Sequence, residues 1–228
     1  MSNVFALIPA RGGSTGLIQK NIQPLLDQPL LAYTIQAAQQ SGVMGQVYVS
    51  SDDDQILAMA HYYGAERIKR DYHLARDDSP LAPVVAEFVH RVKPAGKDII
   101  VLLQPTSPLR NATHIAEALA EYRDFPCCHR LMSVYEIDNK YTRALIGGGE
   151  FLHLLAGEHT SLIQREDFLP SLYLPNGAIS IFSVDDFLRE EAIPHSNLIP
   201  YLMTEEESLE IRTGEDIRRA EEYLFTRR

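Results

Sequence analysis

The sequence predicts an α/β domain built on a mostly parallel sheet, and three observations predict it. Val4 to Ile8 and Ile99 to Leu103 are short, continuous apolar runs, as expected of strands buried on both faces. Such runs alternate with amphipathic stretches of roughly 10 to 14 residues, the rhythm of repeated βαβ units. A glycine-rich loop follows the first run directly, on the edge where such sheets bind ligands.

The elements follow in order. Val4 to Ile8 is the first strand, and residues 10–20 form its loop. Pro29 opens a helix over Leu30 to Gln40, with Leu30, Leu31, Ile35 and Ala38 inward and Gly42 as the stop. Gln46 to Ser50 is a second strand. Asp52 or Asp53 caps the next helix, whose stripe is Ile56, Leu57, Ala60 and Tyr63, and Gly64 ends it. Ala65 to Ile68 is a short third strand. Ser79 and Pro80 start a helix carrying Val84, Val85, Phe88, Val89 and Val92. After Ile99 to Leu103, Asn111 or Thr113 caps a helix with Ile115, Leu119 and Tyr122 inward. Arg130 to Tyr135 is another strand. From Ile137 to Leu174 the period is lost around Gly147-Gly148-Gly149, which reads as an inserted arm of strands and loops. Ala178 to Phe182 (strand), Asp185 to Glu191 (helix), Leu198 to Met203 (strand) and Glu215 to Phe225 (helix) complete the chain. Right-handed crossovers place the loops at 10–20, 50–53 and 104–110 on one edge. Residues 1–228 read as one domain with an arm at about 138–172.

The charge balance narrows the partners. Lys and Arg number 21 against 31 Asp and Glu, a formal net charge of −10 over 228 residues. That balance, with no basic run, argues against a nucleic-acid backbone as partner. A small phosphorylated ligand remains compatible if a few cations converge. Cys127 and Cys128 are adjacent and read as reduced thiols rather than a disulfide or zinc set. The first residues lack the basic start of a signal peptide, and no run reaches the roughly 18 apolar residues of a membrane span. The expectation is a cytoplasmic protein without a membrane partner. The eight histidines show no metal-ligand pair, and no Gly-x-Ser-x-Gly elbow occurs.

The chemistry concentrates in Pro9-Ala10-Arg11-Gly12-Gly13-Ser14-Thr15-Gly16-Leu17-Ile18-Gln19-Lys20-Asn21. Glycines expose backbone N–H groups to an anion, and Arg11 and Lys20 bracket them with positive charge. The spacing matches neither a P-loop nor a dinucleotide fingerprint. Two readings stand at this point: a triphosphate cradle, or a flexible strand-to-helix connector.

Further motifs decide between them. Ile8 to Ser14, with Lys20-Asn21-Ile22, closely resembles the signature loop of the CMP-sialic acid synthetase family of cytidylyltransferases. The resemblance continues through Pro29 to Ile35, Val49 to Asp53, Leu74 to Ser79, Leu103-Gln104-Pro105-Thr106-Ser107-Pro108-Leu109-Arg110, Gln164-Arg165 and Asn176 to Ile179. It implies a three-layer Rossmann-like nucleotidyltransferase fold with an inserted dimerisation arm. The implied reaction passes CMP from CTP to the anomeric hydroxyl of an acidic nine-carbon sugar, releasing pyrophosphate. By position, Arg11, Gly12, Gly13, Ser14, Lys20 and Asn21 resemble the contacts to CTP, and Arg70 and Ser79 those reading cytosine and ribose. Gln104, Thr106 and Arg165 resemble the sugar pocket, and Arg165 would serve a neighbouring subunit of a homodimer. Taken alone, Arg70 reads as a surface cation, Ser79 as a helix cap and Thr106 as a turn residue.

The departures carry information too. The family's loop lysine is Thr15 here, and its proline after Arg70 is Asp71. Its Mg2+-binding Ser-x-Asp-Ile-Asp-Thr motif is Ser208-Leu209-Glu210-Ile211-Arg212-Thr213. Glu210 keeps one carboxylate for the metal. Arg212 cannot ligate one. Three outcomes follow: Arg212 acts on phosphate in place of the lost lysine, or Mg2+ rides on CTP and is completed by Glu210 or acids near Asp52, or the chain is a catalytically silent nucleotide binder. Asp216 reads as a structural acid.

Overall fold

The computed structural model describes residues 2–13, 16–76, 79–148, 151–154 and 171–226. The first apolar run is β1 (Val4–Pro9), buried except at Pro9. A short hairpin, β2 (Pro24–Leu25) and β3 (Gln28–Pro29), leads into α1 (Leu30–Gln40). Pro29 sits at the cap rather than inside the helix, and Gly42 takes a φ of 68° just beyond its end. β4 (Gln46–Ser51) precedes α2 (Asp54–Tyr62), and β5 (Glu66–Lys69) follows it. The Asp53 carboxylate caps α2, accepting from the N–H groups of Gln55 at 2.7 Å and Ile56 at 3.2 Å.

α3 (Ala82–Val92) starts later than its sequence suggests, and Ser79 does not cap it. A start at Pro80 would put Pro83 at the fourth helical position. There its missing N–H would forfeit the first intrahelical bond, and its ring would crowd the Ser79 carbonyl. Starting at Ala82 leaves Pro83 in the first turn, where neither loss arises. β6 (Ile99–Leu102) and α4 (Ala112–Asp124) follow, with Asn111 and His114 forming a reciprocal cap. β7 (Arg130–Ile137) runs out towards a hairpin, β8 (Leu145–Gly148) with β9 (Phe151–Leu154). β10 (Leu172–Ser183), α5 (Val184–Glu190), β11 (Leu198–Leu202) and α6 (Gly214–Thr226) complete the description.

Seven strands form one sheet in the order β11-β7-β10-β6-β1-β4-β5. All pairs are parallel except those of β10, which runs antiparallel to both neighbours. No crossover helix is described between β7 and β10, so the chain turns back against the strand it left. β10 also begins earlier than Ala178, because Leu172 to Pro175 pair with the far half of β7.

Alternate residues of the strands feed two cores. Val4, Ala6 and Ile8 pack with Ile35 of α1, Ile56 of α2 and Ile115 of α4. Phe5 and Leu7 pack on the other face with Val85 and Phe88 of α3 and Phe187 of α5. The period of two thus produces three layers. A third cluster seats Ala220 of α6 on Leu25, Leu30, Leu109 and Ile211. The loops after β1, β4 and β6 share one edge of the sheet, as the parallel registers require.

Candidate active site

Two adjoining clefts open on that edge. The first, of about 270 Å3, has Arg11, Lys20, Arg70 and Arg76 in its walls. The second, of about 300 Å3, lies over β7 and β10. Leu81, Gln104 and Glu210 line both, so the clefts meet at those residues.

The glycine-rich loop is held from below. The Gly12 N–H donates to Asp52 Oδ1 at 2.9 Å, and the Asn21 side-chain amide donates to the Arg11 carbonyl at 2.8 Å. A Cβ on Gly12 would lie 2.7 Å from the Asp53 Cβ, so only glycine fits against the α2 cap. A Cβ on Gly16 would lie 2.9 Å from the Arg212 carbonyl oxygen, which packs the loop's far side on the 208–213 segment. Gly13 lines the first cleft, whereas Gly12 faces the loop's support. Burial holds the Lys20 ammonium below its ordinary proton affinity, against an opposing pull from Glu210, and the Arg11 and Arg212 charges add to the lowering. Ser14 and Thr15 lie outside the described residues.

Arg70 is not a surface cation. It is 5% exposed, and its Nε and Nη2 donate to the Ser50 hydroxyl at 3.1 Å and carbonyl at 2.7 Å. Burial lowers its proton affinity, and Asp52 partly restores it. Ser79 reaches the same cleft with its hydroxyl on the His73 carbonyl at 3.2 Å.

Gln104 stands where the clefts meet, supported by a fully buried arginine, whereas Thr106 lines the first cleft and not the second. Arg110 donates from Nη2 to Thr34 Oγ1 at 2.7 Å and to the Gln104 carbonyl at 3.3 Å. Burial pushes its pKa down to about 9. Gly177, in the bulge of β10 with a φ of 71°, lets the Gln104 amide approach to 3.1 Å of where a Cβ would sit. Arg165 and Gln164 lie outside the described residues, as do Asp77 and Asp78.

The 208–213 segment brings Glu210 to both clefts and Arg212 onto it. One oxygen, Glu210 Oε2, accepts from Arg212 Nε at 3.0 Å and Nη2 at 2.6 Å. Asp216 accepts from the Arg212 and Thr213 N–H groups at 3.0 and 2.8 Å, a structural task at the start of α6. Among the described residues no group of three or more His, Cys, Asp or Glu converges as a metal cage. Asp52 and Asp53 are occupied by Gly12 and the α2 cap. The donor set therefore fits a hard cation that takes most ligands from a substrate and at most one carboxylate, Glu210.

The structure adds Arg76 and Arg130 to the cleft walls. Arg76 belongs to a quoted motif but carried no assigned task, and Arg130 looked like an ordinary strand residue. A lone arginine opening a strand has no spacing signal that could mark it. No described helix is long and apolar enough to cross a membrane.

Comparison with known proteins places these features. Residues 5–144 match the family model described as Cytidylyltransferase. The chain is 35% identical, over 92% of its length, to an N-acylneuraminate cytidylyltransferase of Escherichia coli O18:K1:H7, of which it covers 49%. It is 31% identical to the protein of that name from Streptococcus agalactiae serotype III, covering 53% of it. It thus spans about half the length of these curated relatives. It is 27% identical to the post-translational flagellin modification protein B of Campylobacter coli, covering 93% of that protein. A CMP:2-keto-3-deoxy-manno-octonic acid synthetase complexed with CTP shares the fold, with a TM-score of 0.77 at 16% identity over the whole of both chains.

Proposed function

Because the chain belongs to the cytidylyltransferase family, we propose that it transfers CMP from CTP to the anomeric hydroxyl of a sialic-type acid and releases pyrophosphate. The observation that carries this reading is the junction of a cation-walled cleft and a second pocket at Gln104. The triphosphate belongs in the first and the acceptor sugar in the second, which brings the anomeric oxygen to the α-phosphate. That oxygen forms a bond to phosphorus as the bond to the bridging oxygen of the leaving pyrophosphate breaks. The protein's part is positioning and charge neutralisation. Arg11, Lys20 and the N–H groups around Gly13 hold phosphate oxygens, with Ser14 in the same loop. Arg70 and Ser79 form the nucleoside side, Asn21 braces Arg11, and Gln104 orients the sugar at the junction, with Thr106 near it in the wall of the first cleft. Arg165, from the arm of a second subunit, completes that pocket in a homodimer.

Mg2+ arriving on CTP, completed by Glu210, would neutralise charge on the triphosphate. Arg212 then takes a share of that work from the protein side, replacing a cation absent at Thr15.

One observation favours a second reading. The Arg212–Glu210 ion pair, at 2.6 Å, competes with any metal for its carboxylate, as expected of a silent nucleotide binder. Pyrophosphate release from CTP, Mg2+ and a panel of sialic, legionaminic and pseudaminic acids separates the two. Acid-dependent release supports transfer. CTP binding without turnover, with activity appearing only in Thr15→Lys/Arg212→Asp, supports the silent binder.

A further inference from the structure

We infer that Arg130 holds the carboxylate of the acceptor acid in the second cleft. The inference rests on the transfer reading and names the group that makes an acid, rather than a neutral sugar, the preferred acceptor. Arg130 opens β7 on the sheet face covered by α3 and α5, and its side chain lines the second cleft.

A guanidinium has five N–H donors and no acceptor, so a half-buried one needs carbonyls, water or an anion. Two partners are present. Nε donates to Ser180 Oγ at 2.8 Å, and Nη1 reaches the Pro194 carbonyl at 3.4 Å. Among the described residues Nη2 meets no hydrogen-bond acceptor, and Arg130 forms no ion pair. Burial lowers its proton affinity with no acidic neighbour opposing the shift. Among the described residues Glu210 is the one carboxylate that lines the same cleft, and it is paired with Arg212. What remains is a cation with spare donors, braced at Nε, against the apolar walls of Leu81, Leu102, Met132 and Ile193. In that setting a planar fork binds a carboxylate bidentately and strongly. Ser180 fixes the fork's plane, so its direction is set before the ligand arrives.

The test compares wild type, Arg130→Met, Arg130→Lys and Arg165→Met. Each is assayed with CTP, Mg2+ and the sialic-type acids, and titrated with N-acetylneuraminate and its methyl ester. Arg130→Met is expected to raise the KM for the acid about 10- to 100-fold, the size of a lost charge-assisted hydrogen bond, with the KM for CTP unchanged. Wild type should prefer the acid to the ester, and Arg130→Met should lose that preference. Arg130→Lys should recover part of it, and it is read in the same way if Arg130→Met fails to fold. Wild-type turnover with an unchanged acid KM in Arg130→Met overturns the assignment and leaves transfer standing. A preference lost only in Arg165→Met does the same and moves the carboxylate to the arm. If wild type turns over none of the acids, the transfer reading fails, and the titrations then judge Arg130 alone. Acid binding that weakens in Arg130→Met supports the assignment, and an absence of acid binding by wild type overturns it.

Discussion

Lys20 and Arg70 show how an acidic chain holds cations in the wall of a cleft. Each cation is partly withdrawn from water, and each is supported by a particular neighbour: Glu210 acts on Lys20, and Ser50 accepts from Arg70. Burial disfavours the ammonium form of Lys20, so the folded chain binds this proton less tightly than the unfolded chain, whose ordinary value is 10.5. Its contribution to stability is least favourable at neutral pH and improves as pH rises from the lowered value towards 10.5. If Lys20 pairs with phosphate as proposed, CTP affinity should run the other way, because a neutral amine forms no such ion pair. Titrating CTP from neutral to alkaline pH should show affinity falling before 10.5 in wild type, and Lys20→Met should lack that fall. Arg70→Met should raise the KM for CTP about tenfold, the effect of losing a charge-assisted contact. Steady-state kinetics with varied CTP check it. Sequence made Arg11 and Lys20 legible, because they bracket glycines. The burial of Arg70 was not legible, since it depends on Ser50 from a different strand. Arg130 stayed hidden for the same reason, its partners lying 50 and 64 residues away.

At the scale of elements, the loop and the α2 cap form one device. Asp52 receives the loop backbone, Asp53 caps the helix, and Gly12 lies against Asp53 without room for a methyl group. Gly12→Ala must therefore displace either the loop or the cap. It should weaken CTP binding at least tenfold, the cost of removing one or more phosphate contacts. Asp53→Ala should cost about 1 kcal/mol of stability, as lost caps do. Calorimetric CTP titration and denaturant unfolding measure the two. The parallel strands and most helix starts could be read from apolar period and caps, which are local. The direction of β10 could not, because it depends on the path of the arm. The start of α3 is not legible locally, because Ser79 and Pro80 imitate a cap while Pro83 decides the register.

For the whole molecule, the arm matters most. Leu145 and Ile146 of β8 and Tyr173 and Leu174 of β10 are 42–50% exposed. In the proposed homodimer, exposed apolar side chains of this kind are what a second subunit would cover. Light scattering should give twice the 25.7 kDa chain mass, and Leu174→Glu should shift it towards one chain. A monomeric wild type with full activity would remove the second subunit, and Arg165 with it, from the proposed pocket. The proposed CMP transfer needs both clefts. Its most direct test is 31P NMR of the unmodified chain with CTP, Mg2+ and each sialic-type acid. CTP signals should give way to a CMP-sugar phosphodiester and pyrophosphate in equal amounts, only when an acid is present. CTP that stays intact with every acid while bound to the protein would contradict it.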